Sequence, residues 1–158
     1  MNSSYVNLLI LFLVLAPNQH VEAEGFPSEF KTWHVYVVNE LSNNKSLFLH
    51  CKSKDDDLGI QNLSPAANFT WSFQKNMLRT TLFWCYMSKE GNAHAALKVF
   101  WQDVLLFRKC LWKSCIWSAK DDGIYLKDFV KNHDEFRLQW EPGLWYTNNI
   151  NIKLYTQG

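Results

Sequence analysis

Apolar residues fall at every second position in several short stretches of the chain, and turn-forming residues separate the stretches. In WHVYVVN, residues 33–39, Trp33, Val35 and Val37 share one face. In SLFLHC, Leu47, Leu49 and Cys51 do the same. NFTWSF alternates cleanly, with Phe69, Trp71 and Phe73 predicted inward and Asn68, Thr70 and Ser72 outward. TTLFWCY puts Phe83 and Cys85 in step, and ALKVF does so for Leu97, Val99 and then Trp101. The apolar run that follows, VLLF, fits either a buried strand or a short helix, because period alone does not separate them. CIWS and GIYL flank the turn signal AKDDG. FRLQW predicts Phe136, Leu138 and Trp140 inward with Arg137 and Gln139 outward, EPG reads as a turn, and INIKLY as a last strand. Residues 24–32 read as an extended lead-in, and KSKDDDLG and QNLSPAAN read as loops.

Period two therefore dominates, and no amphipathic helices are available for βαβ crossovers. The prediction is an all-β fold, an antiparallel sandwich or barrel, with an inward set of Trp and Phe filling the core. The composition agrees: eight Trp, six Tyr and eleven Phe in 158 residues favour strands.

The start of the chain follows a different pattern. LLILFLVL, residues 8–15, is unbroken and apolar but shorter than the roughly 20 residues a bilayer span needs. With Pro17 and the small residues of VEA behind it, it has the form of a secretory leader cleaved after Ala23, although the segment before it lacks Lys and Arg. The expected organisation is a leader over 1–23, which is removed, and one domain over 24–158. Cleavage takes Glu22 from the 15 acidic residues and nothing from the 16 basic ones, so the charge stays near neutral. Such a balance gives no electrostatic case for nucleic acid or an anionic membrane.

Secretion changes the reading of the cysteines. Cys51, Cys85, Cys110 and Cys115 predict two disulfides, whereas a zinc site would want closely spaced pairs at both ends. The closeness of Cys110 to Cys115 favours that bridge, spanning a hairpin loop, with Cys51–Cys85. Cys51–Cys115 with Cys85–Cys110 remains open. Asn44, Asn62 and Asn68 head Asn-x-Ser/Thr sequons and are candidate glycosylation sites.

Candidate chemistry is sparse. HCKSKDDDLG, residues 50–59, sets three aspartates in a row. A calcium loop from Asp55 would need an oxygen ligand at Gly59, a glycine at Ile60 and a glutamate at Ala66, so that spacing fails. The better reading is a charged, turn-stabilised loop of Asp55, Asp56 and Asp57 in which Gly59 supplies positive φ if it is needed. His34, His50, His94 and His133 have no nucleophile motif beside them. RKCLWKSCIW mixes basic and aromatic residues, as nucleic-acid platforms do, but in a secreted chain it reads as a disulfide loop with a core-facing Trp. No catalytic residue, cofactor or metal site is expected.

WHVYVVNEL, LFLHCKSKDDDLG, FTWSF, TTLFWC and the late cysteine, CIW and DDG together resemble the plant self-incompatibility protein family, the S-protein homologues. The resemblance covers the whole domain. It implies a small, secreted, often glycosylated β-sandwich held by disulfides, with Cys51, Cys85, Cys110, Cys115, the aromatic strand positions and the loop from Asp55 to Gly59 as structural positions. It implies no catalytic residues. Family members of the stigma act as ligands of a pollen membrane receptor, so the expected function is a secreted signalling ligand. The expected partner is the extracellular part of a plasma-membrane receptor, met by a monomer that inserts into no membrane. A cell-wall carbohydrate-binding module is the alternative, with a secreted hydrolase or nuclease behind it. The chain departs from the family pattern at Trp101 and Gln102, where an acidic residue is more usual, and at VLLF, which replaces a more charged stretch.

Overall fold

A computed structural model describes residues 31–90 and 93–143. The leader, residues 24–30 of the lead-in, Gly91, Asn92 and the INIKLY strand lie outside the described residues. Strands β1 (Thr32–Asn39), β2 (Leu47–Lys52), β3 (Asp57–Leu63), β4 (Asn68–Gln74), β5 (Leu82–Lys89) and β6 (Ala93–Trp101) lead to one short helix, α1 (Val104–Lys109). Then come β7 (Ser114–Lys120), β8 (Gly123–Asp128), β9 (His133–Gln139) and the two-residue β10 (Glu141–Pro142). They form two five-stranded sheets, in the orders β4-β1-β7-β8-β9 and β10-β6-β5-β2-β3. The fold is a β-sandwich whose pairs are antiparallel except for β1 with β7. That parallel pair needs a long connection, and the chain supplies it by building most of the other sheet between the two strands.

The core is the sum of the inward faces. Trp33, Val35, Val37, Leu47, Leu49, Cys51, Cys85, Val99, Trp117, Ile124 and Leu126 are buried. On β4, Phe69, Trp71 and Phe73 are half-buried against this core, while Asn68, Thr70 and Ser72 are exposed. Phe100 packs between Trp33, Phe73 and Phe107, with ring centroids 5.1, 4.6 and 5.8 Å away. One such ring buried contributes on the order of 2–3 kcal/mol. Cys51 lies directly opposite Cys85 in the β2–β5 ladder and is bonded to it. Cys110 is bonded to Cys115.

Three bulges decide where period two fails. On β3 one extra residue enters opposite the stretch between His50 and Lys52, and Gly59 there has φ +76°. This strand corrects the prediction of continuous loop across KSKDDDLG and QNLSPAAN. β3 is an edge strand with only Leu63 buried, so it carries no hydrophobic alternation to read. On β6 the extra residue is Val99, so both Val99 and Phe100 turn inward. On β9 it is Arg137, and beyond it the parity flips: Leu138 and Trp140 stay inside but Phe136 is 52% exposed, against expectation. The EPG segment pairs with β6 as β10 before it bends away. The loop between Cys110 and Cys115 is not a hairpin; it joins α1 to β7.

The registers give the sandwich two ends. At one lie the Asn39 end of β1, the Leu63 end of β3 and the Asn68 end of β4. Asn39 ties them together while fully buried. Its Nδ2 donates to the carbonyls of Lys45 (2.9 Å), Leu63 (2.9 Å) and Ser64 (3.1 Å), and its Oδ1 accepts from Leu41 N–H at 3.1 Å. The opposite end carries the β4–β5 loop, α1 with its following loop, and the β8–β9 turn.

Candidate functional site: the apolar end

Nine large hydrophobic residues are exposed among the described residues, and seven of them (Met77, Leu78, Val104, Leu105, Leu111, Trp112 and Val130) sit at this second end. Apolar side chains scattered over a surface need no explanation, but seven at one end, three of which (Met77, Val104 and Trp112) border one hollow, do. The local structure shows how the chain builds it. Asp103 caps α1, its Oδ1 accepting the Leu106 N–H at 2.9 Å. The helix buries Leu106 and Phe107 and leaves Val104 and Leu105 outside. VLLF is thus a helix and only half of it is core.

At its C-terminus the Trp112 N–H donates to the Phe107 carbonyl (2.7 Å) and the Leu111 N–H to the Arg108 carbonyl (3.1 Å). This is a Schellman ending, with the left-handed position at Leu111. Glycine is the usual residue there because it lacks a Cβ. Here the position holds leucine at φ 47°, and Trp112 follows at φ 57°. Left-handed backbone costs an L-residue about 1–2 kcal/mol. The chain accepts that cost and leaves Leu111 57% exposed. The Cys110–Cys115 bond closes the loop, and the Trp112 ring leans on Phe107 with centroids 5.4 Å apart. A strained conformation persists where its surroundings over-determine it, and such positions cluster at functional sites.

The neighbouring loop is equally set. Asn76 Oδ1 accepts the Thr80 N–H (2.8 Å), and the Asn76 N–H donates to Thr81 Oγ1 (2.8 Å). Arg79 is held at φ 58°. The Lys75 ammonium lies 4.8 Å from the Phe107 ring centroid, a cation–π contact. Lys75, Arg79, Arg108 and Lys113 stand around the apolar residues. A small hollow bordered by Lys75, Met77, Val104, Phe107 and Trp112 opens at the centre. Chemically, this is an apolar knob with a cationic rim.

The aspartate run is a separate device at the same end of the other sheet. Asp57 Oδ1 accepts from His50 Nε2 (2.6 Å) and from the Gly59 N–H (3.0 Å), and Oδ2 accepts from Lys52 Nζ (2.9 Å). Lys52, then His50 and the Gly59 amide, hold the Asp57 carboxyl well below the usual carboxylate range. Ser53 Oγ takes the Asp55 and Asp56 N–H groups at 3.2 and 2.9 Å. Asp57 fastens β2 to β3, and Asp55 and Asp56 shape the turn. No cluster of three or more candidate metal ligands occurs among the described residues. Asn44, Asn62 and Asn68 are all exposed, and all three lie at the Asn39 end, away from the apolar knob. Sequence reasoning missed the knob. Its signal was Leu-Trp directly after a short capped helix, where Gly would be usual.

The family described as plant self-incompatibility protein S1 matches residues 34–140. The chain belongs to this family. Its relatives include S-protein homolog 74 of Arabidopsis thaliana, 42% identical over 88% of this chain and 95% of that one. S-protein homolog 1 of the same plant is 51% identical over 70% of this chain and 73% of that one. A solved structure described as a self-incompatibility protein homologue, from "a widespread family of small, highly stable, secreted proteins from plants", superposes with a TM-score of 0.56. It covers 70% of this chain and 96% of its own, and at 19% identity it speaks for the fold. Within this S-protein homologue, helix α1, the Cys110–Cys115 loop and the β4–β5 loop supply most of the apolar knob.

Proposed function

We propose that this family member is a secreted signalling ligand, not an enzyme, and that it docks its apolar end into the extracellular part of a plasma-membrane receptor. The observation that carries the reading is Leu111, an exposed leucine held in left-handed backbone by a disulfide-closed loop. The docking surface it implies has an apolar recess for Leu111 and Trp112 and carboxylates around it to meet Lys75, Arg79, Arg108 and Lys113. Glycans at Asn44, Asn62 and Asn68 would crowd the far end and leave the knob bare, which suits the leader, the sequons and the description of the solved relative as secreted. The histidines near charged groups serve structure: His50 holds Asp57, and His94 bonds the Gly143 carbonyl at 3.0 Å.

Leu111→Gly separates binding from folding. Glycine relieves the left-handed strain, so the variant should be unchanged or up to about 1 kcal/mol more stable in urea unfolding. Binding of labelled, glycosylated protein to living plant cells should be saturable for the wild type and at least about tenfold weaker for Leu111→Gly and for Trp112→Ala. Equal binding by all three, or no saturable binding in any tissue, would reject the reading.

A further inference from the structure

A second site lies on the flank of the sandwich where β6 and β9 face each other. Among the described residues, β10 pairs with β6 at Ala93 and His94, and β9 is the outer strand of its own sheet. Between β6 and β9 lies a cavity of about 610 Å³. That volume is in the range of small-molecule sites, roughly 300–1,000 Å³, and is far larger than an inorganic ion requires. We propose that this cleft binds a short acidic saccharide, a chain of sugar rings that carry carboxylates.

Charge is the first reason. Among the described residues Arg79, Lys98 and Arg137 line the cleft and no carboxylate does. The one acid that holds Arg137, Glu135, stands outside the lining and takes Nη1 at 3.0 Å, while its other oxygen engages Lys109. Much of the guanidinium fork, which suits a carboxylate, is left for a ligand.

The second reason is how those groups are placed. Arg137 is the extra residue of the β9 bulge, and Val99 is that of the β6 bulge, so both strands that wall the cleft are irregular at the cleft itself. Bulges re-aim side chains and gather beside binding sites. Here the re-aimed guanidinium lies 5.8 Å from the Trp101 ring centroid, across from the opposite sheet. The freed Val99 carbonyl accepts the Trp117 Nε1–H at 2.9 Å, which fixes the cleft floor.

The third reason is the pattern of hydrogen-bonding groups. Thr81 Oγ1 accepts from the Asn76 N–H and Thr80 Oγ1 from Asn76 Nδ2. Each hydroxyl therefore keeps its own hydrogen to donate, from a fixed oxygen. Guanidinium and hydroxyl donors together call for an anion rich in acceptors. Trp101, Leu82 and Leu138 add apolar surface that would meet the C–H face of a sugar ring and would be wasted on sulfate or phosphate. A nucleic-acid strand also stacks on Trp and pairs with Arg, and the oligonucleotide arm of the test below distinguishes it.

This inference stands apart from the receptor reading, with which it shares the border residue Arg79. The test is calorimetry and amide chemical-shift mapping of the disulfide-intact protein with a short oligogalacturonate. Saturable binding is expected, with shifts at Lys98, Trp101 and Arg137. Arg137→Gln and Lys98→Gln, checked for folding by near-UV circular dichroism, should each weaken it about tenfold or more. Leu111→Gly should bind as the wild type does. Equal affinity for a neutral cello-oligosaccharide, for sulfate or for a short single-stranded oligonucleotide would overturn the proposal. So would no binding, or wild-type shifts that fall elsewhere, an outcome readable even if a variant fails to fold.

Discussion

Single atoms decide several features of this protein. Gly123 opens β8, and a Cβ built there would stand 2.5 Å from the Leu138 carbonyl oxygen and 2.6 Å from the Phe136 ring. The oxygen belongs to backbone in the adjoining strand and can move only with β9. Gly123→Ala should therefore destabilise the protein by about 1–3 kcal/mol, seen as a lower urea midpoint with an unchanged slope. Asp57 works by charge rather than shape. Its pKa falls on folding, so its contribution is fully present above the unfolded value near pH 4 and is lost as pH drops through the folded one. The side chain is about half exposed (54%), which limits that contribution to below about 1 kcal/mol. Asp57→Asn should cost that much at pH 7, and the gap to the wild type should close in acid. Both residues sit in stretches whose letters announce a turn or a loop. Leu138 is brought to Gly123 by β8–β9 pairing, and His50 and Lys52, though in the same stretch as Asp57, meet it only because β2 pairs with β3.

Among the elements, strands with one buried face were legible because burial imposes period two on their residues. β1, β2, β4 and β5 follow the predicted parity. β3 was not, since an edge strand with open faces has no hydrophobic pattern to impose, and β9 was half legible because the bulge at Arg137 shifts the parity midway. Helix α1 could not be told from a strand by period. Its length and exposure follow from the Asp103 cap and the Schellman ending. The Cys110–Cys115 bond belongs to this element. A loop that short gives roughly 2 kcal/mol in the chain-entropy model, against about 3–4 for Cys51–Cys85. Replacing Cys110 and Cys115 with Ser should leave a folded protein with a modestly lower melting temperature. Cell-surface binding should fall more steeply, because Leu111 and Trp112 are then free to relax out of their left-handed backbone. A parallel assay of melting and binding checks the split.

Over the whole molecule, charge is arranged for breadth of pH. Asp57, Asp121, Asp128, Asp134 and Glu135 all have lowered pKa values, each mainly through a hydrogen bond: to Lys52, Ser42, the Lys131 N–H, Lys120 and Lys109 respectively. Lys120 is raised by its bond to Asp134, Tyr86 by burial and Tyr125 by its bond to Asp122. Lowered acids stabilise above their unfolded values and lose that effect as pH falls. Raised Lys and Tyr groups stabilise below theirs, near pH 10, and lose it as pH rises. Lys89, lowered by burial, acts in the opposite sense. Melting temperatures should therefore form a plateau between about pH 4.5 and 10, with an acid limb steeper than the alkaline one.

The sequence by itself determined the class of fold, the inward face of most strands, the aromatic content of the core and the family, because burial of alternate side chains is a local, periodic demand. It also marked the aspartate run as a shaping element and not a calcium loop. Tertiary structure alone decided the parallel β1–β7 pair, the bulges, the gathering of Met77, Val104, Leu111 and Trp112 at one end, and the meeting of Arg137 with Trp101 across the cleft. The physical reason is one of range. Register between strands far apart in sequence is set by how two whole faces pack, and no window of residues carries that information.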